Sequence, residues 1–176
     1  MKPMIRILGI DPGSRKTGVG IIDVQGNRIR HVHHHVIQCG TGEFTARLGV
    51  LFHELSNIIN VYQPSCAAIE DVFVSKNVSS ALKLGQARGA LIAACCHAKL
   101  KVGTYSPTAI KSAVAGHGRA DKAQVQHMIK VLLKPPLPLA EDAADALAVC
   151  ICHAHHAPLQ AREPLNKSDR VATRVL

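Results

Sequence analysis

Two short apolar stretches each end in a carboxylate, Asp11 after MIRILGI and Glu70 after CAAI. An acid at the end of an apolar strand disfavours pairing and has to be solvated, paired or bound to a cation. Ligands of α/β sheets bind at the carboxyl ends of strands, so two central strands finishing this way would bring both acids to one place. Asp142 and Asp145, spaced i and i+3, share one face of a predicted helix whose start can be aimed at the same point. Asp142 also reads as a helix cap, and Asp11 as an ion-pair partner of Arg15 or Lys16. Asp145 has less claim to such an ordinary role. It sits among Ala143, Ala144, Ala146, Leu147 and Ala148 on a helix that reads as buried, where an unpaired charge is costly. Asp71 and Glu141 are expected to be solvent-facing neighbours. Clustered carboxylates repel one another and require cations, and oxygen donors without His or Cys favour Mg²⁺ or Mn²⁺ over zinc. Two such ions about 3.5–4 Å apart can drive in-line attack on a phosphodiester.

The charge around these acids has the opposite sign. The chain of 176 residues carries 21 Lys and Arg against 12 Asp and Glu, a formal charge of +9. From Lys99 to Lys134, seven bases (Lys99, Lys101, Lys111, Arg119, Lys122, Lys130, Lys134) face one acid, Asp121. A local excess of this kind suits a polyanion, because each neutralised phosphate releases counterions. A basic surface around an acidic site points to nuclease chemistry on nucleic acid.

The elements that must hold these residues follow from pattern. Residues 4–11, 18–23 and 28–38 read as strands, with Pro12-Gly13 and Gly26-Asn27 as turns, so the chain opens on a three-strand meander. Leu48, Leu51, Phe52, Leu55, Ile58 and Ile59 recur at helical spacing within 43–60, and Pro64 stops that helix. A strand over 66–69, a small-residue helix over 81–98, a strand over 101–105 and helices over 107–115, 120–134 and 142 to about 153 complete the order. Strands alternating with helices after a meander predict an α/β fold with a mixed sheet covered by helices. Residues 1–156 are expected to form one domain, and 157–176, without periodicity, a disordered tail. With 47% hydrophobic and 19% charged residues the chain is neither disordered overall nor collagen-like, and no apolar run reaches the roughly 20 residues of a membrane span. Lys2 and Arg6 interrupt the start, which predicts a cytoplasmic location, and the six cysteines read as reduced thiols.

The segments ILGIDPGSRKTGVGII, AIEDVFVSKNVSSALKLGQARG, KSAVAGHGRADKAQVQHMI and EDAADALAVCICH resemble, in order and over most of residues 5 to 155, the RuvC family of Holliday junction resolvases in the ribonuclease H-like superfamily. The resemblance implies a ribonuclease H-like fold with a mixed five-stranded sheet and helices on both faces. It implies a homodimer that binds a four-way DNA junction and makes two symmetric nicks near the crossover, working with the RuvA and RuvB branch-migration proteins. The family's metal-binding catalytic acids map onto Asp11, Glu70, Asp142 and Asp145, with two Mg²⁺ per site and Mn²⁺ as a substitute. Its catalytic lysines map onto Lys111 and Lys122, and its base-stacking phenylalanine onto Phe73. Lys76, Arg88 and Arg119 are further candidate DNA contacts. A related nuclease acting on RNA is the main alternative, and the long KLGQARG and GHGRADK matches argue against it.

Other clusters read differently. Gly85 and Gly89 share a helix face that permits close approach, ordinarily of the sheet and more pointedly of a dimer partner. His31, His33, His34 and His35 cannot all converge on one ion from a strand and are expected to face solvent. Cys150, Cys152, His153, His155 and His156 read as two core thiols and a polar helix end. His117, in a glycine-flanked turn, is a candidate aid to phosphate chemistry.

Overall fold

The computed structural model describes residues 3–72 and 77–156. Its first three strands, β1 (Ile5–Asp11), β2 (Lys16–Gln25) and β3 (Arg28–Gln38), form the expected antiparallel meander. Gly26 makes the tight β2–β3 turn possible with a φ of 61°, a value costly for a residue with a Cβ. Helix α1 (Phe44–Tyr62) ends where Gln63 turns left-handed before Pro64. Strand β4 (Cys66–Glu70), helix α2 (Val78–His97) and strand β5 (Val102–Tyr105) follow, then α3 (Pro107–Ala115), α4 (Lys122–Leu133) and α5 (Glu141–His156). The strand order is β3-β2-β1-β4-β5, with β4 and β5 parallel to β1, so the sheet is mixed and five-stranded as expected.

Alternation along β1 divides the core in two. Leu8 and Ile10 join Val19, Ile21 and Ile69 under Leu51 and Leu55 of α1 and Leu91 of α2. Ile5 and Ile7 join Ile22 and Val24 on the other face under α3, α4 and α5, through Ile110, Ile129, Leu147 and Ile151. Period-2 burial on both faces explains why the central strands read as nearly continuous apolar runs. No helix among the described residues is long and apolar enough to cross a membrane.

Several expectations are corrected. A bulge between Ile21 and Ile22 leaves Val32 as an extra residue in β3, so His31 and His34 share one face while His33 lies on the other. The His31 and His34 rings are joined by a 2.9 Å hydrogen bond, and His33 stacks on Tyr62 with ring centroids 4.5 Å apart. Three of these histidines are thus half-buried, and His35 alone of the four is exposed. α5 runs to His156, and His153 is buried rather than part of a polar end, its Nδ1 2.9 Å from the Tyr105 hydroxyl. Gly85 and Gly89 do not pack on the sheet, since a Cβ at either would meet nothing within 4 Å. All six cysteines are free; Cys39, Cys95, Cys150 and Cys152 are buried, and Cys96 is exposed. The expected tail, 157–176, lies outside the described residues.

At the sheet end opposite Asp11, the Asp23 carboxylate accepts hydrogen bonds from Nε and Nη2 of Arg6, at 2.8 and 3.0 Å, and from Arg30 at 3.1 Å. Arg6 also donates to the Tyr62 carbonyl, so one guanidinium joins two strands to the end of α1. The Arg6 hydrogen bond, opposed by burial and assisted by Arg30, holds the Asp23 carboxyl below the usual carboxylate range. A carboxylate depressed on folding stabilises the protein above its unfolded pKa of about 3.9 and loses that contribution as pH falls through the folded value. Asp23→Asn should therefore lower the unfolding free energy by about 2 kcal/mol at neutral pH. Urea melts of both proteins should converge on acidification below the ordinary carboxylate range.

Candidate active site

Asp11 and Glu70 end neighbouring parallel strands, β1 and β4, whose last paired residues are Ile10 and Ile69. Both acids are half-buried at the carboxyl ends of these interior strands. α5 supplies the other two by lying directly on glycines. Gly18, opposite Asp11 in the β1–β2 ladder, is so close that a Cβ there would overlap the Asp142 carbonyl, and a Cβ at Gly9 would overlap that of Ala146. The absence of side chains at these two positions seats the first turns of α5 over the strand ends.

The four acids feel one another. Burial, then the charges of Glu70, Asp145 and Asp142, push the Asp11 carboxyl up to about 8, with Lys122 opposing. Burial and Asp145 raise Glu70, while a hydrogen bond with Asp11 and the charges of Lys122 and Lys111 pull the other way. Asp145 is raised by burial and held back by Lys122. Like charges gathered in a poorly solvated place have this signature, and added positive charge relieves it. Among the described residues, no three acids, imidazoles or thiols stand close enough to form a ready-made metal site. The acids converge electrostatically, and a lysine already lies among them.

That lysine is Lys122. Its Nζ is 3.1 Å from Asp145 and also bonds Glu141, and the Glu141 hydrogen bond, followed by Asp145, raises its pKa well above the usual lysine range. It occupies the first position of α4, where Asp121 caps the helix by accepting the Gln124 N–H at 2.8 Å, and Gln124 returns a bond to the Asp121 N–H. Lys111 projects from α3, a helix capped by Ser106 and ended by left-handed Gly116. Glu70, Lys111, Lys122 and Asp145, with Ile110, Val125 and Ala148, line a cleft of about 180 Å³. Its apolar walls keep the local dielectric low, which strengthens the attraction between these acids and any cation or base.

The structure thus brings Asp11, Glu70, Asp142, Asp145, Lys111 and Lys122 together. His117 and Arg119 lie on the exposed α3–α4 turn and do not line the cleft. Phe73 and Lys76 lie outside the described residues. Arg88, expected as a DNA contact, is engaged by the protein, with Nε 3.2 Å from the Glu70 carbonyl and Nη2 3.5 Å from Asp71. Asp11 pairs with neither Arg15 nor Lys16; the ion-paired acids among the described residues are Asp23, Asp71, Glu141 and Asp145. Asp142 lies inside the first turn of α5 rather than before it. Sequence reasoning passed over Glu141 as a lysine partner, although its i, i+4 spacing from Asp145 puts both on one helix face.

Comparison with known proteins meets this geometry at residues 7–153, which match the family model for crossover junction endodeoxyribonuclease RuvC. This chain belongs to the RuvC family. Two similar relatives carry that family's name. The protein from Alkalilimnicola ehrlichii is 53% identical over 159 residues, covering 90% of this chain and 96% of the relative. The one from Citrifermentans bemidjiense is 56% identical over 156 residues, covering 88% and 95%. Among solved structures, Thermus thermophilus RuvC in complex with Holliday junction substrate superposes with a TM-score of 0.80 at 31% identity, covering 85% of this chain and 93% of that one. The yeast mitochondrial resolvase Ydc2, at 13% identity, shares the fold with a TM-score of 0.65 over 86% of this chain and 78% of that one. This RuvC-family chain therefore has the mixed, helix-covered sheet of its ribonuclease H-like relatives, and it is an endodeoxyribonuclease of the metal-dependent kind.

Gly18→Ala should separate Asp142 from Asp11 by pushing α5 off β2. The expected result is a loss of about 2 kcal/mol in stability, typical of overpacking, together with a severe loss of nuclease activity. Gly49→Ala, on the open surface of α1, should leave both intact. Urea unfolding and nuclease assays on the two variants check this.

Proposed function

We propose that this chain resolves four-way DNA junctions, as a homodimer that makes two symmetric nicks near the crossover and leaves 5′-phosphate and 3′-hydroxyl ends. The observation that carries the reading is the gathering of Asp11, Glu70, Asp142 and Asp145 at one end of the sheet beneath Lys111 and Lys122. The similarity to a relative solved with a Holliday junction substrate supports the choice of DNA.

The donor set fits divalent magnesium. The four carboxylates have no imidazole or thiol among them and so offer hard-oxygen donors, and burial together with neighbouring acids raises Asp11, Glu70 and Asp145, which added positive charge would relieve. Asp11, Glu70, Asp142 and Asp145 would hold two Mg²⁺, or Mn²⁺ in their place. When bound, such ions supply an activated water and neutralise charge on the departing oxygen. The protein's own groups do the rest. Asp11 and Glu70 fix the floor of the site through the strands they end. Lys122, held by Glu141 and Asp145, and Lys111, on the neighbouring helix, present positive charge to the phosphate as negative charge builds on it. Arg119 on the adjacent turn would meet the backbone of the arms, Lys76 is proposed as a further backbone contact, and Phe73 as a stacking partner for an unpaired base at the crossover.

A two-fold junction is met most simply by a protein with an isologous interface. α2 offers a face for it: Val78 and Leu82 are 65% and 64% exposed, and Gly85 and Gly89 leave room for close approach. Within the cytoplasm, RuvA and RuvB would present the junction to this dimer.

On a synthetic mobile junction with Mg²⁺, we expect paired nicks mapped to symmetric positions, with linear duplex and RNA cut far more slowly. Asp11→Asn should bind the junction and fail to cut it at any Mg²⁺ concentration; cleavage near the parent rate would refute the assignment. Leu82→Glu, which places charge within the exposed α2 face, should shift sedimentation from dimer to monomer and uncouple the two nicks.

A further inference from the structure

Glu70 is the last residue of β4, the point at which the chain leaves the sheet. The β4–β5 ladder holds this end through the Asp71 N–H, which donates to the Tyr105 carbonyl at 2.8 Å, and the Glu70 carbonyl is held from outside the strand. Three oxygens around this end converge on one guanidinium. Arg88 donates from Nε to the Glu70 carbonyl at 3.2 Å and from Nη2 to Thr104 Oγ1 at 3.3 Å, and Nη2 lies 3.5 Å from Asp71 Oδ1. The three partners belong to two adjacent strand ends, since Thr104 precedes Tyr105, which pairs with Glu70 in the β4–β5 ladder. The Arg88 side chain is only 19% exposed, although it lies beside an expected DNA surface.

The base from which Arg88 reaches is rigid. α2 is capped by Asn77, which accepts the Ser80 N–H, and is anchored in the core by Ala87, Leu91 and Cys95. A planar fork on a fixed helix holds two oxygens in a defined relation, which the flexible stem and point charge of lysine cannot reproduce. Fork donors committed to protein oxygens are also withdrawn from phosphate.

We infer that Arg88 is a positioning residue, which clamps the carbonyl of Glu70 to β5 and α2 and so fixes the aim of the Glu70 carboxylate, rather than a contact for DNA. The inference rests on the proposed role of Glu70. A displacement of about 1 Å in a reacting group costs on the order of 100-fold in rate, and this sets the scale of the expected effect.

The test compares Arg88→Ala, Arg88→Lys and Glu70→Gln with the parent, in the full-length protein. Single-turnover cleavage of a synthetic junction is measured at saturating enzyme, and junction affinity is measured separately without divalent ions. Arg88→Ala should cut about 10- to 100-fold more slowly at saturation while binding within about threefold of the parent, and Arg88→Lys should not restore the rate. An unchanged saturating rate in Arg88→Ala overturns the inference. So does a variant that cuts normally once saturated but binds the junction 10-fold more weakly, since that is the behaviour of a phosphate contact. If Arg88→Ala does not fold, Thr104→Val removes one arm of the clamp, and a severalfold slower saturating rate with unchanged affinity supports the inference where an unchanged rate opposes it. Near-parental cleavage by Glu70→Gln would instead remove the proposed role of Glu70, whatever Arg88 does.

Discussion

The fold has to hold like charges close together where water is scarce. The Asp11 carboxyl, raised to about 8, records that constraint most strongly, because burial and three neighbouring acids act on it in the same direction. Compensation lies both in charge and in architecture. Lys122 bridges Asp145 and Glu141, and Lys111 offsets Glu70. The carboxylates themselves are carried by elements with large apolar interfaces elsewhere: β1 is buried on both faces, and α5 is buried over most of its length. Residues that disfavour folding are thus placed at the ends of the elements best able to carry them, a common relation between stability and function.

The same constraint gives the site its polarity. Acids form the floor at the strand ends, while bases project from α3 and α4, which are successive helices joined by a short glycine-containing turn. A polyanion approaching the floor alone would be repelled. Flanking lysines offset only part of the acidic charge beneath them, so one cleft can attract cations at its floor and present positive charge to a nucleic acid backbone at its rim. Ile110, Val125 and Ala148 make part of its wall apolar, which favours both attractions.

Much of this was legible because it depends on local pattern. The apolar runs ending in Asp11 and Glu70, the i, i+3 pair on α5 and the opening meander are features that period and turn chemistry specify directly. Glycines in β1 and β2 could be read as part of a motif, but not as the seat of α5, since that requires knowing which helix crosses them. What escaped depends on residues far apart in sequence. His153 is buried because Tyr105 receives it, 48 residues earlier. The β3 bulge at Val32 re-sorts the histidines between faces, and nothing in HVHHH announces an extra residue. Helix α2 misled for another reason: alanine and glycine give little contrast between a covered face and an open one, so its pattern located the helix without orienting it.

That orientation ties two properties of the protein to one element. One flank of α2 carries Arg88 to the backbone of Glu70, and the neighbouring face, turned away from the core, leaves Val78, Leu82 and the two glycines uncovered. A helix of 20 residues moves largely as a unit, so a second copy seated on the open face would restrain the same element that steadies the strand end. Coupling between binding and geometry is reciprocal: whatever self-association adds to the order of β4, the ordered site returns as affinity for the partner. If the proposed homodimer forms through that face, a lone protomer would hold its acids less firmly than a paired one and cut less readily on its own.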